Sequence, residues 1–353
     1  MADPEDTAPP DRPLRRGWTT GACATAATRA ALQALLCGQF EDPVTITLPG
    51  GQTPAFALAH QARGDGWAEA GIIKDAGDDP DVTHGALVVA RVSVDTTGSG
   101  VTFHAGEGVG TVTKPGLPIA PGEPAINPVP RKMMAGVVEA LAPGGAYAIT
   151  VSVRDGARLA EKTWNPRLGI VGGLSILGTT GIVVPYSCAA WIASIHRGID
   201  VARAMGLTHV VGATGDASER AARARLGLPE EAYLDMGDFV GGLCKYLKRH
   251  PVERLTIAGG FAKMAKLGQG LMDLHSGRGT VDMAGLAALL PEELREEARR
   301  ANTANAVLQL GGTPLADAVA RLARDAAQAM VGDGAHVDVL VSDRAGAIVG
   351  AGA

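Results

Sequence analysis

Aromatic side chains make up only 4% of the 353 residues, and cysteine occurs only four times. Neither a core of large rings nor a disulfide framework can organise such a chain. The core must come from Ala, Val, Leu and Ile, within a hydrophobic content of 46%, while 48 glycines let the backbone turn tightly at many places. Cys23, Cys37, Cys188 and Cys244 show neither a C-x-x-C pair nor zinc-ligand spacing. They read as reduced thiols of a cytoplasmic protein. Basic runs are missing as well: the net charge is -5 and no block of Lys or Arg occurs. That excludes a nucleic-acid stripe but leaves room for a local anion pocket made by a few cations and aimed N–H groups.

A third gap is the absence of Asp, Glu, Lys and Arg between Arg167 and Arg197, a stretch long enough to span a bilayer. Gly172, Gly173, Gly178, Gly181 and Pro185 interrupt it, and broken backbone is not tolerated in lipid, so a loop, a strand and a helix in succession are expected and a membrane is not. The opening MADPEDTAPPDRP lacks the charged start and apolar run of a secretory signal, and residues 1–13 read as a disordered tail. No Ser, His and acid set and no metal-ligand cluster stands out, so hydrolysis and a protein-bound metal find no support.

What remains is texture. The length exceeds one domain of roughly 100 to 200 residues, so two are expected. Ala22–Leu36 is Ala-rich and reads as a helix entered through Thr19, Thr20 and Gly21. VTITL, WAEAGII and GALVVARVSV between Val44 and Val94 read as strands, as does YAITVSV at Tyr147–Val153. Residues 14–165 are therefore expected to form an α+β domain with a mostly antiparallel sheet. Between Gly106 and Pro130, Gly and Pro are dense enough to forbid regular structure, giving an extended loop that serves either as a site element or as a strap. Beyond it GIVVP, THVVG, RLTIAGG and HVDVLVS alternate with helix-like segments, including the stretch Pro291 to Met330. That alternation predicts a parallel, Rossmann-like α/β domain over 166–353.

Four segments carry chemistry. RGWTTGACATAA places Thr19, Thr20 and Gly21 before a helix, with Cys23 in its first turn; this is an anion site or an ordinary capped helix. In TWNPRLGIVGGLSILGTTGIVVPYS the glycines Gly172, Gly173, Gly178 and Gly181, with Ser175, Thr179 and Thr180, let a ligand approach backbone closely; a packing crossover is the alternative. VVGATGD, with Gly212, Thr214, Gly215 and Asp216, follows a strand and opens a helix, and Asp235 lies where a ribose-binding acid often sits. It lacks a complete G-x-G-x-x-G. In GGFAKMAKLGQGLMDLHS, Lys263 and Lys266 share a helical face, with His275 and Ser276 at the far end; carboxylate binding and a solvated face are both open.

RGWTTGACATAA, GVGTVTKPGLPIAPGEPAINPVPRKMM, TWNPRLGIVGGLSILGTTGIVVPYS and AGGFAKMAKLGQG, in that order, closely resemble the cobalt-precorrin-5B C(1)-methyltransferase family, the CbiD family, over nearly the whole chain after the tail. The resemblance implies transfer of a methyl group from S-adenosylmethionine to ring carbon 1 of cobalt-precorrin-5B, giving cobalt-precorrin-6A in the oxygen-independent route to corrin. Cobalt enters only as part of that anionic tetrapyrrole substrate. Its carboxylates call for cations and N–H groups, for which Thr19, Thr20, Gly21, Cys23, Arg131, Lys132, Lys263, Lys266, His275 and Ser276 are candidates. The two Gly-rich turns and Asp235 are candidates for S-adenosylmethionine. Phe261 stands where members of that family often carry His, so no catalytic His is carried over. Homodimerisation is left open. A nicotinamide-dependent oxidoreductase, suggested by VVGATGD with Asp235, and a non-enzymatic tetrapyrrole carrier are the rival readings.

Overall fold

An uninterrupted run of small helix formers folds as expected: α1 (Thr20–Cys37) follows a two-residue strand, β1 (Gly17–Trp18). Thr19 caps it, its Oγ1 accepting from the Ala22 N–H at 3.1 Å, and Gly38 ends it at φ 78°. The computed structural model describes residues 13–353 apart from Thr97, so all but Pro13 of the expected disordered tail lies outside the described residues. The chain divides into two units, one ending at Ser187 and the other Cys188–Ala353.

In the first unit the chain continues through β2 (Val44–Thr45), β3 (Ala55–Phe56), β4 (His60–Gly64), β5 (Trp67–Ile73), β6 (Leu87–Val94), β7 (Val101–Ala105) and β8 (Thr111–Val112). There follow α2 (Pro128–Leu141), β9 (Tyr147–Val153), α3 (Gly156–Ala160), β10 (Ile170–Val171) and β11 (Ile182–Val183). The main sheet has the order β4-β5-β6-β9-β7, antiparallel except for β7 against β9. Ala70, Ala90 and Val151 lie in register across β5, β6 and β9. These small residues let α1 lie close, with Ala22, Ala24, Ala26, Ala27, Ala30 and Ala31 all at 0% exposure. A helix buried on nearly every side needs only a narrow polar strip, here Arg29 and Gln33, four residues apart and partly buried.

VTITL is a strand only at Val44–Thr45; Ile46 and Leu48 continue the hairpin through N–H bonds to the Pro54 and Gln52 carbonyls. GIVVP departs from expectation. Its Ile182 and Val183 pair antiparallel with Trp18 and Gly17, outside any parallel sheet. Ile170–Val171 likewise pairs with β8, so residues 166–187, assigned from sequence to the second domain, pack with the first unit.

The second unit runs α4 (Cys188–Ala204), β12 (His209–Ala213), α5 (Asp216–Leu226), β13 (Tyr233–Asp235), α6 (Val240–Leu247), β14 (Arg254–Gly260) and α7 (Phe261–Gly268). It ends with α8 (Met283–Ala288), α9 (Glu292–Arg300), α10 (Ala304–Val331), β15 (His336–Ser342) and β16 (Ile348–Gly352). Its sheet has the order β13-β12-β14-β15-β16, parallel throughout except for the last strand. The alternation read from sequence thus yields a parallel sheet with an antiparallel edge. Val210, Ile257 and Val339 face the core containing α6, α7 and α10, whereas Val211, Ala258 and Leu340 face α5. Helix α10 breaks at Gly312 (φ 55°, ψ -151°), two residues before Pro314.

Candidate active site

In the first unit, the N-terminus of α1 meets the Gly-rich 173–181 segment. Gly21 N–H donates to the Leu177 carbonyl (2.8 Å), Leu177 N–H donates to Thr20 Oγ1 (3.0 Å), and Thr19 N–H donates to the Gly181 carbonyl (3.0 Å). With Ala22 N–H taken by Thr19, much of the donor set expected for an anion is already engaged by protein. Cys23 is fully buried, and burial pushes its thiol up to about 12, which disfavours the thiolate at neutral pH.

The loop glycines answer to packing. A side chain at Gly173 would overlap the Gly108 carbonyl, one at Gly178 would overlap Thr19, and one at Gly181 would lie 2.6 Å from Leu48. Ser175 is buried and donates to Asn165 Oδ1 (3.2 Å), while Asn165 Nδ2 donates to the Gly173 carbonyl (3.1 Å). Gly172, Thr179 and Thr180 are exposed. The long Gly and Pro loop is zipped to this segment: Gly110 N–H donates to the Leu174 carbonyl, Leu174 N–H to the Gly108 carbonyl and Ile176 N–H to the Ala125 carbonyl. A small core of Val112, Ile119, Ala125 and Ile170 seals it.

Arg131 belongs to that clamp. Its Nε donates to the Ile126 carbonyl (2.8 Å), and its other nitrogens reach the Pro124 carbonyl (3.0 Å) and Glu123 (3.1 Å). The fork is therefore engaged by protein acceptors, whereas Lys132 is exposed on α2.

Sequence reasoning passed over the loop after β5, Lys74–Gly85. Lys74 is 1% exposed, and its Nζ donates to Asp81 Oδ2 (2.6 Å) while Thr83 donates to Oδ1 from both N and Oγ1. Burial opposes ionisation of Asp81, but the Lys74 ammonium and the Thr83 donors outweigh it and hold the carboxyl below its ordinary value. Asp75 accepts from Arg15 and from Gly77 N–H, which hold its carboxyl down at about 2. The Trp18 N–H donates to the Asp75 carbonyl (2.7 Å) and the Tyr186 N–H to Asp79 Oδ1 (2.9 Å), so this loop braces the entry to α1 and the end of the 173–186 segment. The signal was present as four acids within ten residues of an isolated Lys that directly follows a strand.

In the second unit the carboxyl ends of the parallel strands gather the other candidates. Chain leaving β12 passes to α5 and chain leaving adjacent β14 passes to α7, on opposite faces of the sheet, the arrangement in which open α/β sheets commonly bind a ligand in a crevice between the strand ends. A side chain added at Gly215 or at Gly260 would meet nothing within 4 Å, whereas one at Gly212 would lie 2.6 Å from Leu243. Gly212 is thus a packing residue, and Gly215 and Gly260 are open backbone. Lys263 Nζ donates to the Thr214 carbonyl (3.2 Å) and lies 3.3 Å from Asp238 Oδ1. Asp235 ends β13, in register with Ala213. Asp216 is exposed and paired with Arg220. Lys266 is 8% exposed and donates to the Leu274 carbonyl (2.9 Å), so the two lysines do different work despite their spacing. His275 and Ser276 lie exposed beyond, with His275 Nδ1 accepting from Gly277 N–H (3.1 Å). Phe261 is 2% exposed within the larger core, a position unsuited to an acid–base group.

A family model described as CbiD matches residues 7–185, and one described as CbiD, C-terminal domain, matches residues 273–353. The chain belongs to the CbiD family. Relatives named cobalt-precorrin-5B C(1)-methyltransferase include those of Rhodospirillum rubrum, 61% identical over 98% of this chain and 99% of that protein, and Bradyrhizobium sp., 59% identical over 98% and 96%. A crystal structure of cobalamin biosynthesis protein (cbiD) from Archaeoglobus fulgidus matches at 27% identity and TM-score 0.38, covering 75% of this chain and 83% of that one. In this CbiD chain the two parts of the expected cofactor site fall in different units: Gly172–Gly181 in the first, and Gly212–Asp216 with Asp235 in the second.

Proposed function

We propose that this chain methylates cobalt-precorrin-5B at ring carbon 1, taking the methyl group of S-adenosylmethionine and yielding cobalt-precorrin-6A, as a cytoplasmic enzyme of anaerobic corrin synthesis. The observation that carries this reading is 56–61% identity, over 96–98% of the chain, to proteins named for that activity. Among the described residues no helix is long and apolar enough to cross a membrane.

We read the second unit as Rossmann-like and its crevice as the cofactor site. The fit rests on open backbone at Gly215 and Gly260, an acid at the end of the neighbouring strand, and one cation at the mouth. Asp235 would take the ribose hydroxyls, and Lys263, already holding the Thr214 carbonyl, would take the carboxylate. Bound there, the sulfonium supplies a methyl group already activated for attack by an electron-rich ring carbon. The protein's task is alignment and exclusion of water rather than nucleophilic attack, which suits a chain whose Cys23 and Cys244 thiols are both pushed up to about 12 by burial. Cobalt stays in the macrocycle as substrate.

Calorimetric titration with S-adenosylhomocysteine, followed by transfer of labelled methyl to cobalt-precorrin-5B, tests the reading. Saturable binding and label on the tetrapyrrole are expected. Reduced nicotinamide that saturates the protein while neither sulfur ligand binds, with the tetrapyrrole present, would replace it by an oxidoreductase.

A further inference from the structure

Where β5 ends and β6 begins, a cavity of about 390 Å³ opens on the first unit, with Ile73, Leu87 and Leu159 as its apolar floor and His84, Arg154 and Arg158 at its polar rim. We propose that this cavity receives a carboxylate arm of the tetrapyrrole, its methylenes on the floor and its carboxylate between the two guanidinium groups. The identity of the ligand rests on the methyltransferase reading; the fit of the site to an amphiphilic anion does not.

Ile73 is 57% exposed, yet it lies in a concavity beside two leucines and two arginines. An apolar surface with a few convergent polar groups is the usual lining of a small-molecule site, and the planar fork of Arg suits a carboxylate. Asp155 also lines the cavity, 4.0 Å from Arg158, with the two side chains 63% and 68% exposed. So loose and solvated a pair holds Arg158 weakly and leaves its fork able to turn to a better acceptor. His84 Nδ1 accepts from the Ala76 N–H (3.1 Å), which puts the proton of the neutral ring on Nε2 as a further donor. Asp75, 3.9 Å from His84, is itself engaged by Arg15 and Gly77.

The frame of the cavity is fixed before any ligand arrives. Lys74 N–H donates to the Ala86 carbonyl (2.9 Å), Gly85 N–H to the Lys74 carbonyl (2.8 Å) and Arg154 N–H to the Leu87 carbonyl (3.0 Å). Beneath them the Lys74–Asp81 pair ties the loop down. Asp155 stands at φ 58°, a backbone state that residues with side chains rarely adopt, in the turn that places Arg154 and Arg158 on the same cavity. A whole macrocycle exceeds the volume, whereas an acetate or propionate arm fills part of it.

Binding of cobalt uroporphyrin, a stable polycarboxylate, is measured by absorbance titration for the unsubstituted protein, for Arg154→Ala/Arg158→Ala and for Ile73→Trp, which fills the cavity without touching its charge. Both variants are expected to bind at least about tenfold more weakly, the loss expected for charge-assisted hydrogen bonds or a blocked seat, with affinity for S-adenosylhomocysteine unchanged. Hydrogen exchange across β5 and β6 checks that the variants are folded. Methyl transfer to cobalt-precorrin-5B is followed in parallel. If the wild type transfers methyl and the folded variants keep its KM and its affinity for the porphyrin, the cavity assignment is overturned and the methyltransferase reading stands. If the variants lose the porphyrin but the wild type transfers nothing, the cavity stands as a carboxylate site and the methyltransferase reading fails.

Discussion

Replacing Asp81 by Asn isolates the charge on which the first unit's loop scaffold rests. Lys74 Nζ is 2.6 Å from Asp81 Oδ2 at 1% side-chain exposure, so its ammonium has almost no access to solvent. Asn keeps an acceptor for Thr83 but turns a neutral amide toward Lys74. Stripping one partner from a buried ion pair costs about 3–5 kcal/mol. In the wild type the pH dependence lies on the carboxyl. The carboxyl is held below its ordinary value, so the pair's contribution is present above the unfolded carboxylate value and is lost as pH falls through the depressed folded one. Because the chain forms two units, global unfolding is not a two-state readout, and the assay is hydrogen exchange on peptides from β5 and β6. Lys74→Met combined with Asp81→Asn should recover most of the loss, since removing both charges removes the burden. A loss for Asp81→Asn below about 1 kcal/mol at pH 7, the level of a solvated surface pair, would refute the reasoning.

Other substitutions separate packing from ligand binding. Gly173→Ala forces a methyl onto the Gly108 carbonyl and should destabilise the first unit by about 1–3 kcal/mol, read by exchange in β9, while calorimetry finds S-adenosylhomocysteine bound as before. Gly215→Ala, at an extended φ of 161° with nothing within 4 Å, should leave stability within about 0.5 kcal/mol, a typical surface effect, yet weaken that ligand at least about tenfold if the crevice holds it. Lys263→Gln should lower cofactor affinity about tenfold or more, the loss expected of a charged hydrogen bond, whereas Lys266→Gln should lower the melting temperature and spare affinity because its ammonium holds the Leu274 carbonyl. Arg131→Lys keeps the charge but loses the fork on Ile126 and Pro124, and limited proteolysis should cut residues 113–127 faster than in the wild type.

Where local pattern and tertiary need agreed, the elements were legible. α1, β5, β6, β9, β12, β14 and β15 all carry strong period or propensity signals, and each forms close to where the sequence puts it. GIVVP was misplaced because an apolar strand looks the same whether it enters a parallel sheet or pairs with two residues of a distant segment. Periodicity says how a strand is buried but not against what. β7 and β13 were missed for the opposite reason: VTFHA and YLD are short, and their burial is set by β9 and β12.

Glycine shows why a site is harder to read than a fold. The same missing side chain serves close packing at Gly173, Gly178 and Gly212, and open backbone at Gly215 and Gly260, and nothing in the one-dimensional pattern separates the two. The difference is what stands opposite: a carbonyl or a side chain of this chain in the first case, and space for something else in the second. Lysine divides in a similar way, for Lys263 and Lys266 share a helix and a spacing, yet one meets the Thr214 carbonyl and Asp238 near the ends of the parallel strands and the other the Leu274 carbonyl in a buried setting. Residue type therefore nominates a chemistry, and only the partner already in place decides whether that chemistry remains available to a ligand. By that criterion the open backbone at Gly215 and Gly260, and the cavity lined by Arg154 and Arg158, are where this chain still has surface to offer.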